Sequence, residues 1–229
     1  MASDQNTASA PRVRIPEATI QRLPVYLFRL QALQAHGIKK VCSRELADEL
    51  KISSSRLRHD FHYFGSFSRP GHPYDVEPLI ARLRDILVLS EPIDFIIAGM
   101  GNLGQAMATY AQFEQDGFRL AGLFDINPKL MGLNFRGVPV QDLEMLPDLV
   151  RARHVPLGVL TVPATAAQSV ADLMVDAGIR GIWNFAPINL KLPANVVLHD
   201  EFLSASIMSL SYKMKTMLGS NGGRRDSGA

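Results

Sequence analysis

Phe95-Ile-Ile-Ala-Gly-Met-Gly-Asn-Leu-Gly104 decides how the rest of this 229-residue chain is read. An apolar run entering Gly-x-Gly-x-x-Gly predicts a buried strand, a tight turn and the start of a helix. The three glycines have separate duties. Gly99 permits the turn out of the strand, Gly101 lets backbone N–H groups approach a pyrophosphate, and Gly104 lets the helix pack closely on the sheet. Met100 and Leu103 complete the turn, and a helix opening at Asn102 offers unpaired amides and a positive dipole end to phosphate. Downstream, Phe118-Arg-Leu-Ala-Gly-Leu-Phe-Asp125 predicts a second strand, with Asp125 lying 21 residues past Gly104. A carboxylate there accepts from a ribose 2′-hydroxyl and repels a 2′-phosphate, which favours NAD(H) over NADP(H). The bland alternative is a glycine-rich core turn followed by a turn-initiating aspartate. Strand before, helix after and acid at this spacing favour the nucleotide.

Two later loops extend the same crevice. Strands expected at Gly158-Val-Leu-Thr-Val162 and Gly181-Ile-Trp-Asn-Phe185 run into Thr161-Val-Pro-Ala164 and Asn184-Phe-Ala-Pro187. Carboxyl ends of strands line the ligand crevice in open α/β sheets, so Thr161, Val162, Pro163 and Phe185 are candidate cofactor contacts. Otherwise the prolines merely terminate strands. Strand 93–99, helix 102–116, strand 118–125 and strand 158–162 alternate as βαβ units of a mostly parallel sheet. A last helix is expected over 202–218, where Leu203, Ile207, Leu210, Met214 and Met217 recur at 4-3-4-3 spacing. That is one continuous apolar stripe. The polar tail 219–229 and the arm 1–14 are expected to be disordered.

Upstream of Ile93 the pattern is helical. A first helix opens at Ile15-Pro-Glu-Ala-Thr-Ile-Gln-Arg and stops at His36-Gly37, with Pro24 predicting a kink or an early break. Ser43 to Leu50 reads as a short helix capped by Ser43. Ser53 caps a third helix, Ser54-Ser-Arg-Leu-Arg-His-Asp-Phe-His-Tyr-Phe64, which Gly65 ends. A Gly/Pro loop and a helix from Val76 to Leu89 follow. Three helices and a turn-rich loop suggest a winged helix-turn-helix over 15–90, ahead of a nucleotide-binding domain over 93–200.

Charge divides the chain the same way. Residues 11–72 carry eleven Lys/Arg against five Asp/Glu, whereas 93–229 carry eleven against twelve. A basic block on a neutral body is an electrostatic footprint for nucleic acid, and equally a common solvated surface. No apolar run approaches the roughly 20 residues a membrane-spanning helix needs. The single cysteine, Cys42, excludes an internal disulfide and fits a reducing cytoplasm. It reads either as a low-pKa thiol beside Lys39-Lys40 or as a buried filler residue.

Chemistry is thinly represented. A dehydrogenase needs a substrate pocket and a proton donor, and 93–200 barely suffices for the nucleotide fold. His154, His199 and Tyr110 are the candidate acids, and no Tyr-x-x-x-Lys pair is present. His59 and His62, with His72 nearby, read as solvated or DNA-facing rather than as a metal site. A sensor is favoured over a small NAD-dependent oxidoreductase, and a DNA-binding module for CoA or another adenine nucleotide is the third reading.

Ile15-Pro-Glu-Ala-Thr-Ile-Gln-Arg-Leu-Pro, Arg58-His-Asp-Phe-His-Tyr-Phe-Gly65, Gly99-Met-Gly-Asn-Leu-Gly104, Leu160-Thr-Val-Pro-Ala164 and Gly181-Ile-Trp-Asn-Phe-Ala-Pro187 follow one another in this order. In order and spacing, residues 15–215 resemble the Rex family of redox-sensing transcriptional repressors. The resemblance implies an α/β protein with an N-terminal winged helix-turn-helix, a Rossmann-like mostly parallel sheet domain and a C-terminal dimerisation helix. It also implies a homodimer that exchanges this helix, binds a palindromic operator and releases it when NADH binds. Expected DNA contacts are Ser54, Arg56, Arg58, His59 and Tyr63 on the third helix, with Arg69 on the wing. Expected dimer contacts are Phe202, Leu203, Ile207, Leu210 and Met214.

Departures from the family pattern are local. His59 stands where a second basic residue is usual, and His62 where a serine is usual. Tyr110 matches the tyrosine beside the cofactor. In the simplest register Phe28 and Phe202 occupy the positions of an arginine and an aspartate that take part in switching, with Arg29, Asp200 and Glu201 adjacent.

Overall fold

Ile93-Asp-Phe-Ile-Ile-Ala98 lacks the polar alternation of a half-wetted strand, and both of its faces are covered. Phe95 and Ile97 enter one apolar cluster while Ile96 and Ala98 enter another, all nearly or fully buried. Such runs belong to parallel sheets layered on both sides. The computed structural model describes residues 15–65, 67 and 72–221, and the chain divides between Glu91 and Pro92 into two compact units.

The second unit is built on β3 (Ile93–Ala98), β4 (Phe118–Asp125), β5 (Asn134–Phe135), β6 (Val138–Asp142), β7 (Leu157–Leu160), β8 (Gly181–Asn184) and β9 (Val197–Asp200). They form one sheet in the order β5-β6-β4-β3-β7-β8-β9, parallel except for the β5–β6 hairpin. Helices α5 (Asn102–Thr109), α6 (Gln112–Asp116), α7 (Leu146–Arg153) and α8 (Ala164–Ala177) connect the strands. The chain winds one way from β3 to β4 and β6, then crosses to β7 on the other side of β3. That reversal creates a crevice at the carboxyl ends of β3 and β7.

The first unit packs α1 (Glu17–Ala35), α2 (Ser43–Glu49), α3 (Ser54–His62) and α4 (Val76–Ile86). Strand β1 (Lys40–Val41) pairs antiparallel with β2 (Tyr74–Asp75). Leu23, Leu27, Leu30, Leu46, Leu57, Phe61, Leu79 and Leu83 form its interior. Arg69 and most of the expected wing lie outside the described residues.

Four expectations need correction. Helix α1 does not break at Pro24 but continues to Ala35, because buried Leu23, Tyr26, Leu27 and Leu30 on both sides offset one missing hydrogen bond. Helix α2 is capped by Cys42 rather than Ser43. Cys42 Sγ accepts from the Glu45 amide at 3.5 Å and Glu45 Oε2 accepts from the Cys42 amide at 2.9 Å, a reciprocal capping box. The helix expected over 102–116 breaks into α5 and α6 at Tyr110, whose backbone is extended. The last helix, α9 (Leu203–Asn221), runs past 218, since a helical Gly219 costs only about 1 kcal/mol. Among the described residues no helix is long and apolar enough to cross a membrane.

Candidate functional site

Register places four loop starts at one edge of the sheet. Ala98 lies level with Phe124 and with Leu160, and Leu160 with Asn184. Gly99, Asp125, Thr161 and Phe185 therefore leave their strands side by side.

Each glycine of the first loop answers to a different constraint. Gly99 has φ 97°, and a Cβ on it would lie 2.7 Å from the Thr161 carbonyl carbon. A Cβ on Gly104 would lie 2.0 Å from the Gly99 carbonyl oxygen. Both positions are closed to any side chain. Gly101 is extended, and its Cβ would meet nothing within 4 Å. The space beside it is what a pyrophosphate would need. Helix α5 starts there without a side-chain cap, leaving its first amides for an anion.

Long-range hydrogen bonds brace this turn. The Thr161 hydroxyl donates to the Gly99 carbonyl at 2.7 Å and to the Ala98 carbonyl at 3.1 Å. Gln105 Nε2 donates to the Met100 carbonyl at 2.8 Å. Asp125 accepts from the Met100 amide at 2.6 Å and from the Asn127 amide at 2.8 Å. A carboxylate has about four acceptor positions, so two remain for ribose hydroxyls. Met100 differs from its neighbours: its side chain is fully buried and its amide is already engaged, so it shapes the turn from beneath. Leu103 is half-buried on the same apolar cluster.

On the far side of the crevice, Val162 packs into the second cluster and Pro163 precedes α8 as its extended cap. The Phe185 ring lies 4.7 Å from Trp183, Trp183 lies 6.4 Å from Phe113, and Phe113 lies 5.1 Å from Tyr110. This aromatic row joins the exposed Tyr110 to Phe185. Phe113 and Trp183 were not among the expected contacts, although Trp183 stands inside the motif that named Phe185. Asn184 was also missed. It is 1% exposed, donates to Asp200 Oδ1 at 2.7 Å and to the Ala186 carbonyl at 3.1 Å, and accepts from the Ala186 amide at 2.9 Å. A polar residue inside an apolar strand run was its only sequence signal.

In the first unit, Ser53 Oγ accepts from the Arg56 amide at 3.2 Å and opens α3. Leu57, Asp60 and Phe61 face inward, while Arg56, Arg58 and His59 are exposed and Ser54 and Tyr63 half-exposed. His59 stacks edge-on against Tyr63 at 5.2 Å. Arg56 and Arg58 make no ion pair with any described residue, whereas Arg29 pairs with Glu49 at 3.6 Å and Lys40 with Asp75 at 3.2 Å. Phe28 and Phe202 are each about half exposed.

A helix-turn-helix unit with free cations, joined to a crevice shaped for a dinucleotide, is the build of a ligand-responsive DNA-binding regulator. Residues 90–188 match a family model described as "CoA binding domain", and residues 14–62 one described as "Putative DNA-binding protein N-terminus". The redox-sensing transcriptional repressor Rex of Thermoanaerobacter pseudethanolicus is 42% identical over 203 residues, covering 89% of this chain and 91% of that one. The crystal structure of RSP in complex with β-NADH is 40% identical, with a TM-score of 0.84 over 91% of this chain and 98% of that one. Its complex with β-NAD+ and operator DNA gives 0.83 over 93% and 99%. The chain belongs to the Rex family of redox-sensing transcriptional repressors.

Proposed function

We propose that this chain represses transcription by holding operator DNA through α3 and lets go when NADH fills the crevice. One observation carries the reading: a turn left open only at Gly101 and a helix whose exposed Arg56 and Arg58 pair with no described residue occur together in a chain 42% identical to a curated repressor. Backbone amides from Gly101 to Gly104 would receive the pyrophosphate, and Asp125 the adenosine ribose. Thr161, Val162, Pro163 and Phe185 would line the nicotinamide side, with Tyr110 as the hydrogen-bonding group. When bound, the nucleotide supplies a nicotinamide that is cationic if oxidised and neutral if reduced. An apolar lining disfavours the cation, because desolvating unpaired charge is costly.

On the DNA side, Ser54, Arg56, Arg58, His59 and Tyr63 would meet the major groove, with Arg69 from the wing. Phosphate contacts supply most of the affinity, and base edges supply the sequence choice. A homodimer is supported by α9, whose Leu203, Ile207, Leu210 and Met214 are all more than half exposed in the single chain. A second copy is the partner whose chemistry fits such a stripe, and two copies would read a palindromic operator in the cytoplasm.

The test is a gel shift on the chain's own upstream region beside an NADH-oxidation assay over small carbonyl compounds. A shift without turnover is expected, and turnover without a shift would overturn the reading. The "CoA binding domain" match motivates a second ligand arm. Thermal shift with NADH, NAD+ and CoA separates the two, since a tight ligand stabilises by mass action.

A further inference from the structure

Asp60 is the one fully buried charged side chain among the described residues, and it sits on α3 directly beside His59 and Arg58. Both carboxylate oxygens are fully engaged. Oδ1 accepts from Arg22 Nη2 at 2.7 Å and from Thr19 Oγ1 at 3.0 Å. Oδ2 accepts from Arg22 Nε at 2.7 Å and from the Tyr26 hydroxyl at 2.6 Å. All three donors lie on α1 at spacings of three and four residues, so one stripe of α1 grips one residue of α3. Arg22 also donates to Thr19 Oγ1 at 3.3 Å, which closes the cluster.

We propose that Asp60 is a positioning residue: its grip by Thr19, Arg22 and Tyr26 sets the rotation of α3 about its own axis and thereby which DNA sequence is read. The other inward contacts of α3 come from Leu57 and Phe61, with Phe61 lying edge-on to Tyr26 at 5.6 Å and to Tyr74 at 5.5 Å. Apolar contacts are non-directional and tolerate a small turn of the helix. A two-pronged guanidinium–carboxylate pair does not, because both bonds must stay short and straight. The lever is substantial. A group about 6 Å from a helix axis moves about 1 Å for each 10° of rotation, enough to spoil a base-edge hydrogen bond. Arg56, Arg58 and His59 fan across the outward arc and would all shift together.

Stability alone is a weak reason for this cluster. Well-packed apolar residues commonly replace a buried ion pair without loss, whereas orientation is lost with the charges. The inference rests on the DNA-binding reading and is tested with the intact chain. A duplex is first selected from a random library by the full-length protein, and an unrelated duplex of equal length serves as competitor. In the triple variant Arg22→Met/Tyr26→Phe/Asp60→Leu the melting temperature should match or exceed the parental one. Binding to the unrelated duplex should stay within about twofold, while the ratio of selected to unrelated affinity falls about tenfold or more. Tyr26→Phe alone keeps the two-pronged pair and should keep the parental ratio. Should the triple variant fail to fold, Arg22→Lys, which keeps the charge and loses the fork, should show the same loss of ratio. A parental ratio in the folded triple variant, or in Arg22→Lys where the triple does not fold, overturns the proposal. An equal loss on both duplexes overturns it too. A parental chain that selects no duplex sinks the repressor reading itself, a distinguishable result.

Discussion

Helices α3 and α9 both present an outward surface, yet their inward sides are secured in opposite ways. Helix α3 has Leu57 and Phe61 buried and a saturated carboxylate, Asp60, locked to α1, so its outward arginines are held in a defined direction. Helix α9 has no buried side chain among those described. Leu203 is 59% exposed, Ile207 71% and Met214 55%, although these are residues that water disfavours. Exposed cations on an anchored helix suit a polyanion. Exposed aliphatic residues in a continuous stripe suit another apolar helix. Equal exposure therefore means different partners, and the side chains decide which.

The harshest way to break this contrast is to end the chain after Asp200. Light scattering should then report a monomer, and operator affinity should fall towards the non-specific level, roughly a thousandfold or more. An unchanged folded dimer would remove α9 from the interface. Next in size is Arg58→Ala, which leaves the fold intact and should cost about 1–3 kcal/mol of operator discrimination, read by competition between matched and mismatched duplexes. Equal loss on all duplexes would make Arg58 a phosphate contact only.

Inside the crevice, Gly101→Ala should fold normally, because its Cβ meets open space, and should weaken NADH binding on the order of tenfold, about 1.4 kcal/mol, by calorimetry. Parental affinity would mean that the pyrophosphate does not approach Gly101. Gly104→Ala is the control that should fail in folding, with its Cβ 2.0 Å from the Gly99 carbonyl oxygen.

The smallest expected effect is the pH dependence of the α1–α3 cluster. Burial would raise the Asp60 carboxyl, but the hydrogen bonds from Arg22, Tyr26 and Thr19 outweigh it and hold the group below its ordinary range. An unfolded aspartate titrates at about 3.9. Its contribution to stability is therefore complete above that value and is lost as pH falls through the lower folded one. The Tyr26 phenol is pushed up by burial and by its bond to Asp60, so its contribution is lost only as pH rises above about 10. Thermal melts of the parental and Asp60→Asn chains should keep their gap from pH 6 to about 5 and converge as pH falls below about 4. A gap that does not narrow below about 4 would mean that Asp60 is not charged in the folded state.

The nucleotide turn was legible because its constraints are local. Gly99 turns at a φ of 97° and Gly104 is closed by the Gly99 carbonyl five residues before it, and Ser53 announced α3 by the same kind of short-range bond. What escaped was set at long range. Thr161 braces Gly99 from 62 residues away, and Arg22 grips Asp60 across 38. The break at Tyr110 is similar: Ala-Thr-Tyr-Ala-Gln-Phe favours helix locally, while the rings of Phe113, Phe95 and Trp183 pack where the chain must turn. Cys42 caps α2 although a thiol is a poor acceptor, and Glu45 three residues later is the signal of the capping box.

Operator affinity in saturating NADH, in saturating NAD+ and without nucleotide tests the central claim most directly. The glycine turn and Asp125 meet the half that both nucleotides share, so only the nicotinamide side can separate them. Coupling of about 1–3 kcal/mol predicts operator binding roughly 5–150-fold weaker in NADH than in NAD+. If Phe28 and Phe202 replace the family's charged pair, the lower end of that range is expected. Three equal affinities would contradict the account.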